Sequence, residues 1–249
     1  MVLLKRIYAI YGFTVFAVAY TLVFPFFLIP IAFPSKYKLV GVFSRWVSKL
    51  AFIGWFIPVR KEFRARLDPG AQYIFCANHF SYVDIPAMAL MPHNTIFVGK
   101  QSMESIPLFG YMYKRLHITV DRSRLASKYS TYVRSIEAIE QGKSLIIFPE
   151  GGIVSKNFPE MAPFKAGPFR LAVEKQVPIV PVTLPYNWLL VEENPLRMTW
   201  RPIELIFHEP VFPQGNSPEA VQIMQRQVFD IIRSEEHTSE LQSHLNLVC

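Results

Sequence analysis

The sequence predicts an α/β fold, a mixed sheet covered by helices, preceded by an N-terminal membrane-embedded helical segment. Three observations carry this. Residues 7–35 contain no charged side chain, a stretch long enough to cross a bilayer as a helix at about 1.5 Å per residue. After Lys61 short apolar runs alternate with helical patterns, which implies strands with covering helices. Hydrophobic residues make up 51% of the 249, with 21 Phe, above the usual range for a soluble domain and pointing toward a membrane.

Lys5 and Arg6 precede the uncharged stretch, and Lys36 and Lys38 follow it. Positive residues favour the cytoplasmic side, so both ends are expected there. Pro25, Pro30 and Pro34 argue against one uninterrupted span. A re-entrant or in-plane hairpin is therefore expected rather than a single crossing. A secretory signal peptide, with Ala17-Val18-Ala19 as cleavage site, fits less well because the apolar run continues past it. In residues 39–57, Arg45, Ser48 and Lys49 share one helical face and apolar residues cover much of the rest, the pattern of an interfacial helix.

Strands are expected at 73–76, 95–98, 118–120, 144–148, 179–184 and 203–207. Residues 127–141 read as a helix ended by Gly142. Pro168 suits the first turn of a helix running to residue 175, and 218–232 reads as a closing helix. The chain thus divides into a membrane-associated segment (1–60), a sheet-containing domain (61–233) and a tail (234–249). The tail, beginning Ser234-Glu235-Glu236-His237-Thr238-Ser239-Glu240, reads like a translated sequencing adapter, a non-native addition excluded from fold reasoning. Its exclusion removes three glutamates and no basic residue, so the net charge rises from +7 to +10.

Such a charge implies an anionic partner. Nucleic acid is excluded because the basic residues form no single run and the apolar excess is wrong for it. Without the tail, Cys76 is the one cysteine, and its apolar setting marks a buried structural thiol. No disulfide is then available, which fits a reducing compartment.

Five residues after His79 stands Asp84. A carboxylate bonded to one imidazole nitrogen fixes the tautomer and leaves the other nitrogen free to take a proton from an alcohol. On a continuous helix the two would point roughly 140° apart. The consistent arrangement puts His79 in a loop after a strand and Asp84 in the first turn of the next helix. The alternative is a capping carboxylate beside an unrelated loop histidine. Arg122 follows an expected strand, where its guanidinium can hold a phosphate bidentately or pair with Asp121 at the surface. Glu150, Gly151 and Gly152 lie at the carboxyl end of another strand, where open sheets collect ligands and glycines let backbone N–H groups approach an anion. Lys100 and Lys165 are further binding candidates or ordinary surface lysines. His93, His117 and His208 lack partners at telling spacing and read as structural.

Four blocks occur in order: Asn78-His79-Phe80-Ser81 closed by Asp84, Arg122, Phe148-Pro149-Glu150-Gly151-Gly152, and residues 177–182. Together they resemble the glycerolipid acyltransferase family, in its bacterial 1-acylglycerol-3-phosphate branch, over residues 73–184. The resemblance implies transfer of an acyl chain from acyl-CoA or acyl carrier protein to the sn-2 hydroxyl of lysophosphatidic acid, giving phosphatidic acid. It implies no metal or cofactor beyond the thioester co-substrate. The implied partners are a lysophospholipid acceptor, the thioester donor and membrane lipid, at the cytoplasmic face of the inner membrane. His79 would be the base, Asp84 its orienter, and Arg122 with Glu150, Gly151 and Gly152 the acceptor site. Where the family usually has Glu-Gly-Thr-Arg or Glu-Gly-Thr-Ser, this chain has Gly152-Ile153 in the last two places, and the glycine usual shortly before the arginine is missing. Restoring the family pattern with Gly152→Thr and Ile153→Arg is therefore expected to improve affinity for lysophosphatidic acid if the site has room. Two other readings are an acyltransferase for a different lyso-lipid and a membrane-anchored lipid esterase using Ser81. The esterase lacks a G-x-S-x-G elbow.

Overall fold

A computed structural model of the chain describes residues 2–155, 157–193 and 196–246. Cys249, in the excluded tail, lies outside the described residues. The elements in order are α1 (Val2–Ala32), α2 (Leu39–Gly54), β1 (Val59–Phe63), β2 (Ile74–Ala77), α3 (Asp84–Met88) and β3 (Thr95–Lys100). They continue with α4 (Phe109–Leu116), β4 (Ile118–Val120), α5 (Leu125–Glu140), β5 (Ser144–Ile147), α6 (Gly167–Lys175) and β6 (Ile179–Thr183). Then come β7 (Val191–Glu193), β8 (Leu196–Met198), β9 (Ile203–Phe207) and α7 (Pro218–Asn246).

Seven strands form one sheet in the order β1-β9-β6-β2-β5-β3-β4, with β7 and β8 as a separate hairpin. The strands β6, β2, β5, β3 and β4 run parallel, while β9 pairs antiparallel with β6 and parallel with β1. The sheet is covered on both faces, which explains why its strands read as continuous apolar runs. Alternation along β2 assigns the faces: Ile74 and Cys76 join the cluster under α5, α6 and α7, whereas Phe75 and Ala77 join the cluster under α2 and α3. Cys76 is fully buried, and that burial pushes its thiol well above the ordinary range, as befits a structural thiol. Because five strands run parallel, all their carboxyl ends collect on one edge, and the amino end of β9 arrives at the same edge.

The structure departs from the sequence expectations in four places. Pro25 and Pro30 do not break α1, which runs unbroken for 31 residues, about 46 Å at the usual rise. Its buried side chains, Tyr20, Val23, Phe27 and Pro30 among them, supply the packing that outweighs the missing N–H donors. Pro34 instead opens the short 3-10 turn that reverses the chain. The polar residues of α2 do not face solvent as one stripe: Arg45 donates to the carbonyls of Met91, Pro92 and His93, and Ser48 is buried. β1 straddles the expected boundary at residue 60 and, like the β7 and β8 hairpin, is too polar to show as an apolar run. Finally, α7 continues past Ile232 into the adapter-like stretch, where Glu235 pairs with Arg64 at 2.6 Å and Glu236 accepts from Asn78 Nδ2 at 2.6 Å.

The helices α1 and α2 form an antiparallel hairpin. Trp55 Nε1 donates to Gly12 O at 2.8 Å, and Phe27 packs edge-on against Phe43 at the far end. A Cβ at Gly54 would stand 2.6 Å from Val15 Cγ1, so the close approach requires glycine there. What the hairpin turns outward is apolar: Ile10, Phe13, Val18 and Leu22 on α1, Trp46, Leu50 and Ile53 on α2. Among the described residues, α1 is the one helix long and apolar enough to cross a membrane. An exposed apolar surface of this extent is suited to lipid. Replacing Leu50 and Ile53 by lysine is expected to weaken sedimentation with phospholipid vesicles severalfold while leaving the unfolding temperature within a few degrees.

Candidate active site

The loop that leaves β2 at Ala77 enters α3 at Asp84, and the aspartate folds back over it. Asp84 Oδ2 accepts the backbone N–H groups of Phe80 and Ser81, each at 2.8 Å, and lies 3.0 Å from His79 Nδ1. Its Oδ1 accepts from Asn187 Nδ2 at 2.8 Å. The short helix thus begins with a carboxylate that closes the preceding loop, as the helical geometry required. A carboxylate surrounded by donors can only accept, so the hydrogen on His79 belongs on Nδ1 and the lone pair on Nε2. That is the tautomer a general base needs. The ring stacks on Phe148 with centroids 4.0 Å apart, and the residue is 8% exposed.

Two further side chains hold the loop. Asn78 bridges both the N–H and the C=O of Leu184 beyond β6, at 2.8 and 3.1 Å. Glu150, just past β5, accepts from His79 N at 2.7 Å and from Ala162 N at 2.9 Å. Both of its oxygens are thereby occupied and the residue is 1% exposed, so it braces the histidine loop from below rather than presenting an open acceptor to a ligand. Burial pushes the Glu150 carboxyl up to about 7, with the Asp84 charge adding to it and the two backbone donors opposing.

Arg122 stands beyond β4 on the same edge, half-buried, with no ion pair or hydrogen bond among the described residues; burial works against its charge. The alternative pairing with Asp121 is not formed, because that carboxylate accepts from Ser123 N and Oγ. The guanidinium lies directly against Gly152, where a Cβ would come within 2.8 Å of Nη1. A guanidinium so placed beside glycine backbone has the chemistry to hold an anion. Lys100 ends β3 in register with Val120, hence on the same flank as Arg122, and is exposed. Lys165 runs past Gly151 with its side-chain carbons 3.8 Å from where a Cβ would sit, and is also exposed. The structure therefore gathers His79, Asp84, Glu150, Gly151, Gly152 and Arg122 on one edge, with the two lysines at its rim.

Ser81 is buried and its Oγ accepts from Val83 N; among the described residues it makes no hydrogen bond to His79, so it is not poised as an esterase nucleophile. His117 accepts from Phe97 N and His208 bonds Thr183 Oγ1; burial lowers them to about 3 and about 4. Sequence reasoning missed Asn187 and Phe148 as parts of the site. The one hint of Asn187 was a single amide in the apolar run 184–191.

A family model described as Acyltransferase matches residues 58–185. A 1-acyl-sn-glycerol-3-phosphate acyltransferase of Cocos nucifera is 33% identical over 141 residues, covering 55% of this chain and 45% of that protein. The protein of that name from Salmonella typhimurium is 32% identical over 153 residues, covering 60% of this chain and 61% of its own length. The match thus spans about half to three fifths of these curated relatives. A crystal structure of the 1-acyl-sn-glycerophosphate (LPA) acyltransferase PlsC from Thermotoga maritima shares the fold, with a TM-score of 0.79 at 22% identity over 96% of this chain and 97% of that one.

Two outcomes follow from the geometry. Because the Glu150 carboxyl is raised from its ordinary value of 4.5 in the folded state, its contribution to stability is fully present below that value and is lost as pH rises to about 7. His117 and His208, lowered when folded, act in the opposite sense up to the ordinary imidazole value of 6.5. The difference between wild type and Glu150→Gln removes the histidines from the comparison. Unfolding free energy of the wild type relative to Glu150→Gln is expected to fall as pH rises from 4.5 to about 7 and to stay level above it. Gly152 sits at φ +144°, which disfavours any side chain, and a threonine there would also displace Arg122. Contrary to the room that the family pattern assumes, Gly152→Thr is expected to displace the Arg122 guanidinium and lower the unfolding temperature.

Proposed function

Since the chain belongs to the acyltransferase family, we propose that it transfers a fatty acyl group from a thioester to the free sn-2 hydroxyl of 1-acylglycerol-3-phosphate, giving phosphatidic acid. The observation that carries this reading is the buried His79 and Asp84 pair at 3.0 Å, with Nε2 left as the acceptor. In the reaction the acceptor oxygen attacks the thioester carbonyl as its proton passes to Nε2. The tetrahedral intermediate then expels the thiolate, which recovers that proton from the imidazolium. Asp84 and the stacked Phe148 hold the ring in place through both transfers. No acyl-enzyme is required, because the thioester is already activated.

The acceptor phosphate is assigned to Arg122, supported by its missing partner and its contact with Gly152. Acyl-CoA and acyl carrier protein both suit the donor side. The apolar hairpin supports a place on the membrane, and its flanking cations Lys5, Arg6, Lys36 and Lys38 support the inner membrane with the catalytic domain on the cytoplasmic side.

With labelled acyl thioester and lysophosphatidic acid, His79→Ala is expected to lower kcat by about 10² to 10⁴. Arg122→Ala is expected to raise the acceptor KM far more than the donor KM. Near-normal turnover in a folded His79→Ala protein would remove the base. A preference for an acceptor without a phosphomonoester, with acceptor KM unmoved in Arg122→Ala, would remove the phosphate assignment.

A further inference from the structure

Arg122, Lys100 and Lys165 all lie on the β5, β3 and β4 flank of His79. None of the three lines the cavity of about 710 Å³ that opens between residues following β5, Ile153, Ser155 and Phe158, and the segment between β6 and β9 that carries Trp188 and Arg201. It starts at the catalytic loop itself, since Phe80 follows His79 and Trp188 follows the Asn187 that holds Asp84. Phe80, Phe158 and Trp188 make an aromatic wall, with Phe80 edge-on to Phe158 and Phe158 stacked parallel to Trp188. Two cations from distant parts of the chain also line it: Lys5 from the first turns of α1 and Arg201 from the segment entering β9.

Among the described residues that line it, two cations face one carboxylate. Glu192 is shared between Lys5 at 4.0 Å and Arg197 at 3.4 Å. Arg201 has no ion pair among the described residues and lies 5.5 Å from the Tyr186 ring centroid. The cavity thus combines an aromatic wall next to the His79 loop with two cations. A thioester arm that ends in a phosphate ester calls for both.

We propose that this cavity docks the phosphopantetheine arm of the acyl donor, with Arg201 and Lys5 holding its phosphate. The assignment rests on the acyltransferase reading above and deepens it. Two anionic substrates must meet at one histidine without sharing a cation, and Lys5 and Arg201 line this cavity whereas Arg122, Lys100 and Lys165 do not. Coenzyme A and acyl carrier protein carry the same arm, so the chemistry is common to both. A volume of this size is also ordinary for a substrate pocket.

The test uses the full chain in detergent micelles with lysophosphatidic acid as acceptor and either palmitoyl-CoA or palmitoyl-acyl carrier protein as donor. Arg201→Ala is expected to raise the KM for whichever thioester the wild type uses by roughly tenfold, the loss typical of one charge-assisted contact, with kcat and acceptor KM unchanged. Arg201→Lys should restore most of the loss. Donor KM unchanged for both thioesters, or an increase confined to lysophosphatidic acid, overturns the proposal. If the wild type transfers no acyl group at all, the acyltransferase reading fails separately. Calorimetric titration with coenzyme A then decides the pocket: binding weakened in Arg201→Ala supports it, and equal or absent binding in both proteins overturns it.

Discussion

The buried carboxylate of Asp84 is the interaction on which the site depends. Fully enclosed, it gathers donors from the loop after β2, from the His79 ring and from Asn187 beyond β6. One group therefore closes the loop, fixes the imidazole tautomer and ties the turn to the neighbouring strand. Such a group is costly to bury without partners, so each donor is a condition for the others. Losing any of them would leave the carboxylate short and the ring free to turn.

A second carboxylate repeats the device one strand away. Glu150 holds the His79 backbone as Asp84 holds its side chain, and it ties that loop to the chain near Ala162. The resemblance placed Glu150 in the acceptor site, but its geometry gives it a supporting role beneath the base. The proposed acceptor site then rests on Arg122 and the glycines. Gly152 matters there for the side chain it lacks, because the guanidinium occupies the space a family threonine would fill.

Much of this was legible because it is local. The pairing of His79 with Asp84 spans five residues, and helical geometry alone required the loop and the first-turn placement that the structure shows. The central strands were legible because both their faces are buried, which makes them continuous apolar runs. Asn187 was not legible, since it lies 103 residues from Asp84 in sequence and only the pairing of β6 with β2 brings them together. β1 and the β7 and β8 hairpin carry too few apolar residues to announce themselves. The prolines of α1 misled for the converse reason: a local rule against helix continuation was outweighed by packing along the hairpin. The inward turn of Arg45 on α2 depends on three carbonyls in a loop that no periodicity reveals.

The hairpin and the catalytic edge meet through Lys5, so the segment that faces lipid also helps to wall the cavity beside the base. If the proposed donor site is right, the apolar hairpin contributes to it through Lys5. All of it presumes one tautomer. Nitrogen-15 NMR of the histidine rings in the full-length protein, above the pH at which free imidazole titrates, measures that directly. The account predicts that the His79 ring carries its hydrogen on Nδ1 and that Asp84→Asn abolishes the preference. A His79 ring protonated on Nε2 in the wild type would contradict it.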